Sequence, residues 1–485
     1  MTAAPTSDAT TIWGRDVRAV TTANLLVIAL AAFDGLAVVG ALPSITEDLG
    51  NVGRSPWVLT AYLGVSAVAG LAAGPVIDAI GVRRTFRVTV LWFGLTTGLA
   101  GIAPTMDLLI AIRVLQGLGG GLLIAVALAS ISLAYPASLR PRALAANSVM
   151  WGAMGFGGPA VVGVVLAVAP WRWVFFLQVP LVAFAASVGW RRLPTTRERP
   201  TRIHTDWAGL AMLTVAVFAL LVGGSALGRS WPMATIGLGL SAAGTLAYWR
   251  HSRVADEPVV ERRHLVARPF GPLHLIVALV LAAGLSDAYL PLYAQGARGW
   301  SEASAAFTVV FLTIGWTTAA VTMSRLLDRW TPRFGVAVGA SIMPAATAVA
   351  AVLLWIDAPM AAVLGAYYCI GLSLGATTNA SWSLLQSSTP SEEAGRSNAA
   401  HQFVRTTSIT AALSLAGAVL LWVVQSQVGD VEVVRDLLAG DEVEVGGDTA
   451  GAIADGLATV LSLAVVVGAT ATALAWREFR RGSAA

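Results

Sequence analysis

The chain has 485 residues, of which 56% are hydrophobic and 12% charged, with a formal net charge of +4. A soluble domain carries about 25% charged residues, so this composition excludes an ordinary water-soluble globule. All 31 basic residues are arginine and there is one cysteine, Cys369. Lysine-based chemistry, an intrachain disulfide and a thiolate metal cluster are therefore excluded as well.

The charges sit in short loops between apolar runs of around 20 residues, the pattern of a polytopic helical membrane protein. No basic face or nucleic-acid motif accompanies the positive charge, so no nucleic-acid partner is expected. The five histidines form no His-x-x-x-His pair, and Glu261-x-x-His264 stands alone in a stretch read as a solvated loop, so no metal site is expected. Met1 to Arg18 is polar and without an apolar core. No cleaved signal peptide is indicated, and the first span is expected to direct insertion.

Fourteen spans are expected, at about residues 20–42, 56–76, 86–103, 106–130, 143–167, 174–190, 207–227, 231–249, 271–295, 303–324, 334–355, 359–383, 399–424 and 451–476. With the N-terminus inside, arginines on the inner side outnumber those on the outer side about five to one, which places both termini in the cytoplasm.

The first span contains one ionisable residue, Asp34. A carboxylate inside a membrane span faces a bundle interior or an aqueous cavity, so Asp34 is either a functional acid or one held structurally by a neighbouring helix. Asp78, Gly81, Arg83 and Arg84 follow the second span. They read as an ion-paired latch or as plain positive-inside anchoring. The fourth span carries Arg113 and Gln116, then Gly117, Gly119, Gly120 and Gly121. A glycine run clears one helix face and lets a neighbouring backbone approach. The fifth span holds Gly152, Gly155, Gly157, Gly158, Pro159 and Gly163, consistent with close packing or with a hinge.

The ninth span places Asp287 roughly 12 Å from its outer end, Asp34 lies at a similar depth in the first, and Arg113 is roughly 10 Å into the fourth, counted from helical rise. These three are expected to share one membrane layer, with Arg113 as the partner of Asp34. The twelfth span is rich in polar side chains. Its Tyr367, Tyr368, Asn379 and Trp382, with Gln116, are candidates for lining a substrate cavity, the alternative being interhelical packing. Arg405, in the thirteenth span, is expected to snorkel to the surface. The loop at 425–450 is acidic and reads as solvated.

Two features recur eight spans apart. Asp78-Ala-Ile-Gly-Val-Arg-Arg84 has a counterpart in Asp328-Arg-Trp-Thr-Pro-Arg333, and Leu109 to Gly121 matches Val363 to Gly375, with Gly117 on Gly371 and Gly121 on Gly375. Repeats of this kind divide the chain into a six-helix half at 1–194, two extra helices with their linkers at 195–266, and a second six-helix half at 267–485.

These stretches together resemble the major facilitator superfamily, and within it the fourteen-span drug:proton antiporters. Phe33-Asp34 to Leu42-Pro43, Trp57-Val-Leu-Thr-Ala-Tyr62, Gly74-x-x-x-Asp78-x-x-Gly81-x-Arg83-Arg84 and Arg113-x-x-Gln116-Gly117 are similar to that family's motifs. So are Trp171 to Pro180 and Tyr289 to Gly296. Gly158-Pro159-Ala-Val-Val-Gly163 carries one glycine fewer than the antiporter motif of the fifth span.

The resemblance implies an all-α major facilitator fold and proton-coupled export of small amphipathic molecules by alternating access. It implies no organic cofactor, the proton gradient as energy source, and a monomer in the cell membrane. Asp34, Arg113 and Asp287 would couple to protons. Gly155, Gly158, Pro159 and Gly163 would form the antiporter-motif helix. An exporter of lipids or envelope metabolites on the same fold, and a non-transporting sensor, are the alternatives. An enzyme is not expected, because no nucleophile–base pair or metal constellation is present.

Overall fold

The computed structural model describes residues 11–50, 54, 56–195, 206–227, 230–256, 258–301, 304–305, 307–390, 393–429, 433–434 and 446–483. Among them there are helices and connecting turns and no strand. In chain order the helices are α1 (Arg18–Leu49), α2 (Pro56–Ile80), α3 (Val82–Gly101), α4 (Met106–Ala134), α5 (Arg140–Val168), α6 (Arg172–Phe176), α7 (Gln178–Gly189), α8 (Trp207–Ala226) and α9 (Trp231–His251). They continue with α10 (Arg262–Val266), α11 (Phe270–Gly284), α12 (Leu290–Gly296), α13 (Val309–Leu326), α14 (Pro332–Trp355), α15 (Met360–Ser387), α16 (Ala394–Val428) and α17 (Gly447–Ser483). Most of the acidic 425–450 stretch lies outside the described residues.

Twelve segments among the described residues are long and apolar enough to cross a membrane. Of the fourteen expected, α3 and α9 fall short in mean hydropathy, although they have 20 and 21 residues. At 1.5 Å per residue, either spans about 30 Å. In α3 the shortfall comes mainly from Arg83, Arg84 and Arg87 in the first two turns, and the helix is two-faced beyond them. Its Val88, Leu91, Trp92, Leu95 and Leu99 form an exposed apolar stripe, while Thr85, Thr89, Thr96 and Thr97 are buried on the other face. Those hydroxyls bond back to carbonyls one turn earlier, at 2.9, 2.8, 2.9 and 2.6 Å, so the polar face is satisfied within the helix. An apolar outside with a threonine-lined inside suits lipid better than the averaged hydropathy suggests.

The ninth expected span is present as one 27-residue stretch, Phe270–Gly296, with a change of helix type inside it. A 3-10 turn, Leu285–Tyr289, separates α11 from α12. Gly284 precedes the turn and Pro291 opens α12, and this glycine–proline bracket both ends one helix and starts the next. Asp287 therefore sits in a break with irregular backbone, where membrane proteins build ion sites, rather than on a regular helix face.

The chain forms two compact units. The first comprises Met1–Phe218, Ala242–Phe270 and Leu385–Phe403, and the second Ala219–Ser241, Gly271–Leu384 and Val404–Ala485. In the first unit, α1 packs on α5 and α7, and α4 on α2 and α3. Phe33, Ile45, Val58, Met106, Leu109 and Phe175 are central to its apolar cluster. α4 starts at Thr105, whose side chain accepts from Leu108 N at 3.3 Å, with Asp107 in the first turn as the helix dipole favours. α3 follows α2 after one residue, Gly81, at φ +81, a conformation glycine adopts without strain.

Part of the 251–268 stretch is anchored at Val259 and Val260. The Tyr248 hydroxyl donates to Val260 O and accepts from Val260 N, both at 2.8 Å. Val259 and Val260 are buried against Leu71, Leu213 and Ala400. The Val259-Val260 pair gives this short linker an apolar foot, which accounts for the departure from a solvated loop.

In the second unit, α14 runs along α17, and Phe334 lies against Trp330, Trp476 and Phe479 at 4.9, 6.0 and 5.3 Å between ring centroids. α14 is started by Thr331, which accepts from Phe334 N at 3.3 Å, with Pro332 at its first position.

Candidate functional site

Five helices of the first unit converge on Asp34. Arg113 and Gln116 are three residues apart on α4, so they share a face. Arg113 NH1 donates to Asp34 Oδ1 at 3.0 Å and Oδ2 at 2.7 Å, and both side chains are completely buried. The same nitrogen donates to Gln116 Oε1 at 2.8 Å, and Gln116 Nε2 donates to Asp34 Oδ1 at 2.9 Å and to Thr97 Oγ1 on α3 at 2.8 Å. Gln178 on α7 reaches Asp34 Oδ1 at a long 3.5 Å. Arg113 Nε donates to Val58 O on α2 at 3.1 Å, and the guanidinium lies 4.1 Å from the centroid of the Tyr62 ring. Arg113 NH2 is buried without a hydrogen-bond partner.

The glycine run makes this geometry possible. A Cβ at Gly117 would stand 2.7 Å from Tyr62 O, one at Gly121 2.1 Å from Ser66 O, and one at Gly120 2.7 Å from the Tyr62 hydroxyl. α2 can thus press against α4 and lay Tyr62 over Arg113. The product is a carboxylate and a guanidinium shut away from solvent and joined by charge-assisted hydrogen bonds. Breaking such a pair leaves a buried charge uncompensated, which costs roughly 3–5 kcal/mol. Tyr62, Thr97, Gln178 and the Val58 carbonyl complete the site and were not singled out from sequence. Tyr62 and Gln178 stood in motif stretches, but nothing local to them marks a contact with Asp34.

Asp287 is not joined to this pair. It sits in the second unit, in the 3-10 turn, and makes no ion pair among the described residues. Beside it Ser286 and Tyr367 are both buried, their hydroxyls 3.3 Å apart. Of the candidate cavity residues, Gln116 and Tyr367 are fully enclosed, Asn379 and Trp382 are buried, and Tyr368 is half-buried. Gln116 is committed to Asp34, so it lines no open space.

The second cluster lies where α2 ends. Asp78 does not pair with Arg83 or Arg84 of its own loop. Arg83 Nε donates to Leu193 O at 2.6 Å, Arg84 is exposed, and Gly81 supplies the positive-φ link. The helix direction reverses there and carries the two arginines away from the acid, whose partner comes from far along the chain. Arg396 on α16 lies 3.1 Å from Asp78 and 2.8 Å from Glu261. Arg263 bridges Glu261 at 2.5 Å and Glu393 at 3.0 Å, and His264 Nε2 lies 3.1 Å from Glu393. His264 is 1% exposed, which overturns its reading as solvated. Burial pushes the Glu261 carboxyl up, but hydrogen bonds from Arg263 and Arg396 outweigh it and hold the group below its ordinary value.

α5 is continuous from Arg140 to Val168 through the glycine-rich motif. Gly158 is buried, and Gly155 is half-buried. A Cβ at Gly157 or Gly163 would meet nothing within 4 Å, so these two glycines do not serve close packing. α1 instead approaches at Gly40, where a Cβ would lie 3.3 Å from Val162. Pro159 lies within the helix.

Fold and site together define an integral-membrane protein with a charge pair sealed inside one helical unit. The Major Facilitator Superfamily model matches residues 25–414, and the chain belongs to that family of membrane transporters. It is 29% identical over 344 residues to the "Probable multidrug-efflux transporter Rv1634" of Mycobacterium tuberculosis, covering 69% of this chain and 72% of that protein. It is 28% identical over 413 residues to the tetracenomycin C resistance and export protein of Streptomyces glaucescens, covering 83% and 75%. The crystal structure of the human organic anion transporter MFSD10 superposes with a TM-score of 0.64 over 93% of this chain and 99% of that one, at 14% identity, a likeness of fold alone.

Proposed function

We propose that this transporter is a proton-coupled exporter of small amphipathic molecules, of the fourteen-span drug:proton antiporter type. In this reading α3 and α9 complete the fourteen spans. The chain works by alternating access as a monomer in the cell membrane, with both termini cytoplasmic, and the proton gradient is its energy source. The single observation that carries the reading is the fully buried Asp34–Arg113 pair. The names of the curated relatives, multidrug efflux and tetracenomycin C export, support the export of amphipathic compounds.

The chemistry follows from the pair. Charged Asp34 accepts from Arg113 and Gln116, which holds α1 against α4. A proton on Asp34 removes the negative charge and leaves Arg113 buried beside a neutral acid. The conformation that opens the pair then becomes favoured, because an uncompensated internal charge is costly. Each unit charge moved through the membrane field is worth about 2.3 kcal/mol per 100 mV, enough to drive substrate uphill.

The test is substrate-induced proton movement in proteoliposomes. Asp34→Asn keeps the side-chain shape and fixes the neutral state. It should abolish uphill, gradient-driven export and retain downhill exchange. Full coupling in Asp34→Asn overturns the proposal.

A further inference from the structure

Arg113 and Arg405 both lie well inside membrane spans, and the structure treats them oppositely. Arg113 has a carboxylate, an amide and a carbonyl. Arg405 lies eleven residues beyond the start of α16, about 17 Å along its axis. Its guanidinium makes no hydrogen bond and no ion pair among the described residues, and its Nε is buried without a partner. One contact holds it: Arg405 Cζ lies over the Trp316 ring, 5.5 Å from the centroid. The residue as a whole is half-buried, and the expected reach of its side chain to the surface is left open by this contact.

The Trp316 platform is held firmly. A Cβ at Gly375 would lie 2.0 Å from Trp316 O, and one at Gly371 2.8 Å from Trp316 N, so α15 grips the α13 backbone at this residue. An indole face offsets part of a cation's charge but accepts none of its N–H hydrogen bonds. The in-plane N–H edge of the guanidinium, the edge that binds a carboxylate through two parallel hydrogen bonds, is left unused. Arginines inside membranes pair or mark a substrate path, and among the described residues this one pairs with no acid.

We propose that Arg405, seated on Trp316, is a binding site for the carboxylate of amphipathic organic anions, with the apolar body of the ligand in the membrane-spanning interior. As a statement about substrate this rests on the exporter reading above. As a statement about binding it stands alone, and the test separates the two. The preferred compounds are acids, and the same molecules with the charge masked bind less well.

The experiment uses the full chain purified in detergent and two matched fluorescent probe pairs, 1-pyrenebutyrate with its methyl ester and 1-naphthylacetate with its methyl ester. The wild type should bind each acid roughly tenfold or more tightly than its ester, the scale of a charge-assisted contact. Arg405→Gln should erase that preference and leave ester binding unchanged. Arg405→Lys, which keeps the charge and loses the fork, should retain part of it, and Trp316→Phe should retain most. The Lys and Phe variants decide the matter if the Gln variant does not fold. A wild type without acid preference overturns the assignment, as does the full preference in Arg405→Gln or its complete loss in Arg405→Lys. If the binding preference stands but neither acid nor ester is exported in proteoliposomes, the exporter reading alone fails.

Discussion

The α2–α4 and α13–α15 helix pairs are built on the same crossing and carry different chemistry beside it. Gly117 and Gly121 clear the way for the carbonyls of Tyr62 and Ser66, where Cβ atoms would come within 2.7 and 2.1 Å. Gly371 and Gly375 do the same for the carbonyls of Leu312 and Trp316, at 2.1 and 2.0 Å. In both pairs the glycines are one turn apart, and the residue one turn before the first glycine reaches a third helical segment. There the likeness ends. Arg113 meets Asp34 in an ion pair at 2.7 Å, whereas Tyr367 meets the Ser286 hydroxyl at 3.3 Å. The backbone device repeats, and the residue beside it makes an ion pair in one copy and a hydroxyl contact in the other. A crossing of small residues is a scaffold that tolerates either kind of neighbour, so a role in coupling has to be argued from the side chains beside it.

The largest effect that separates the copies should come from Arg113→Ala. It leaves Asp34 buried without its cation, so stability should fall by roughly 3–5 kcal/mol. Proton-coupled export should be lost. Thermal unfolding in detergent reads the stability loss, and substrate-induced proton movement in proteoliposomes reads the coupling. A melting temperature equal to that of the wild type would mean that the buried ion pair adds no net stability.

Adding one methyl at the crossings should treat the two copies alike. Gly121→Ala and Gly375→Ala each drive a Cβ into a backbone oxygen, which cannot swing aside like a side chain. Each should cost roughly 1–3 kcal/mol or more. Parallel drops in melting temperature are expected, with proton coupling per substrate changed, if at all, only in Gly121→Ala. A large drop in one variant and none in the other would break the structural equivalence.

The cluster at the end of α2 sharpens the comparison further, because its acid finds partners from distant stretches of chain. Glu261→Gln keeps the shape and weakens the bonds to Arg396 and Arg263, at a cost of about 2 kcal/mol. The folded carboxyl lies below its ordinary value of 4.5. Its contribution should therefore be fully present above pH 4.5 and be lost as pH falls through the lowered folded value. The stability difference between wild type and Glu261→Gln should be flat near neutrality and close in acid. A difference that grows on acidification would contradict the ion-pair account.

The residues explain which of these features could be read beforehand. Helix positions followed from apolar runs, and the Asp34–Arg113 contact from depth counting, because a charge in a membrane span has few places to go. The repeated glycines were visible as spacing. Span nine is legible as an apolar run, but its inner 3-10 turn is not, because Gly284 and Pro291 each look tolerable there. Arg396, Glu261 and Glu393 were missed for a different reason. They lie in charged loops or at helix ends, where most charges are solvated, and their meeting depends on three segments distant in sequence. The contact of Arg405 with Trp316 could not be read from sequence, since it depends on the direction of one side chain.

The smallest expected effect belongs to the hydroxyl contact of Tyr367. Tyr367→Phe removes one hydroxyl from a site where Ser286 is its partner, both buried. A neutral hydrogen bond contributes about 1 kcal/mol net, and the serine hydroxyl can turn toward a carbonyl of its own helix when the tyrosine oxygen goes. The melting temperature should fall slightly, with the proton-to-substrate ratio unchanged. Tyr367→Phe removes a neutral hydroxyl contact where Asp34→Asn removes the charge of an ion pair, so the two variants together set hydrogen bonding apart from charge. If Tyr367→Phe also uncouples transport, the tyrosine acts through something other than its bond to Ser286. Asp287, one residue along, is then the group to replace next, as Asp287→Asn, in the same proton-movement assay.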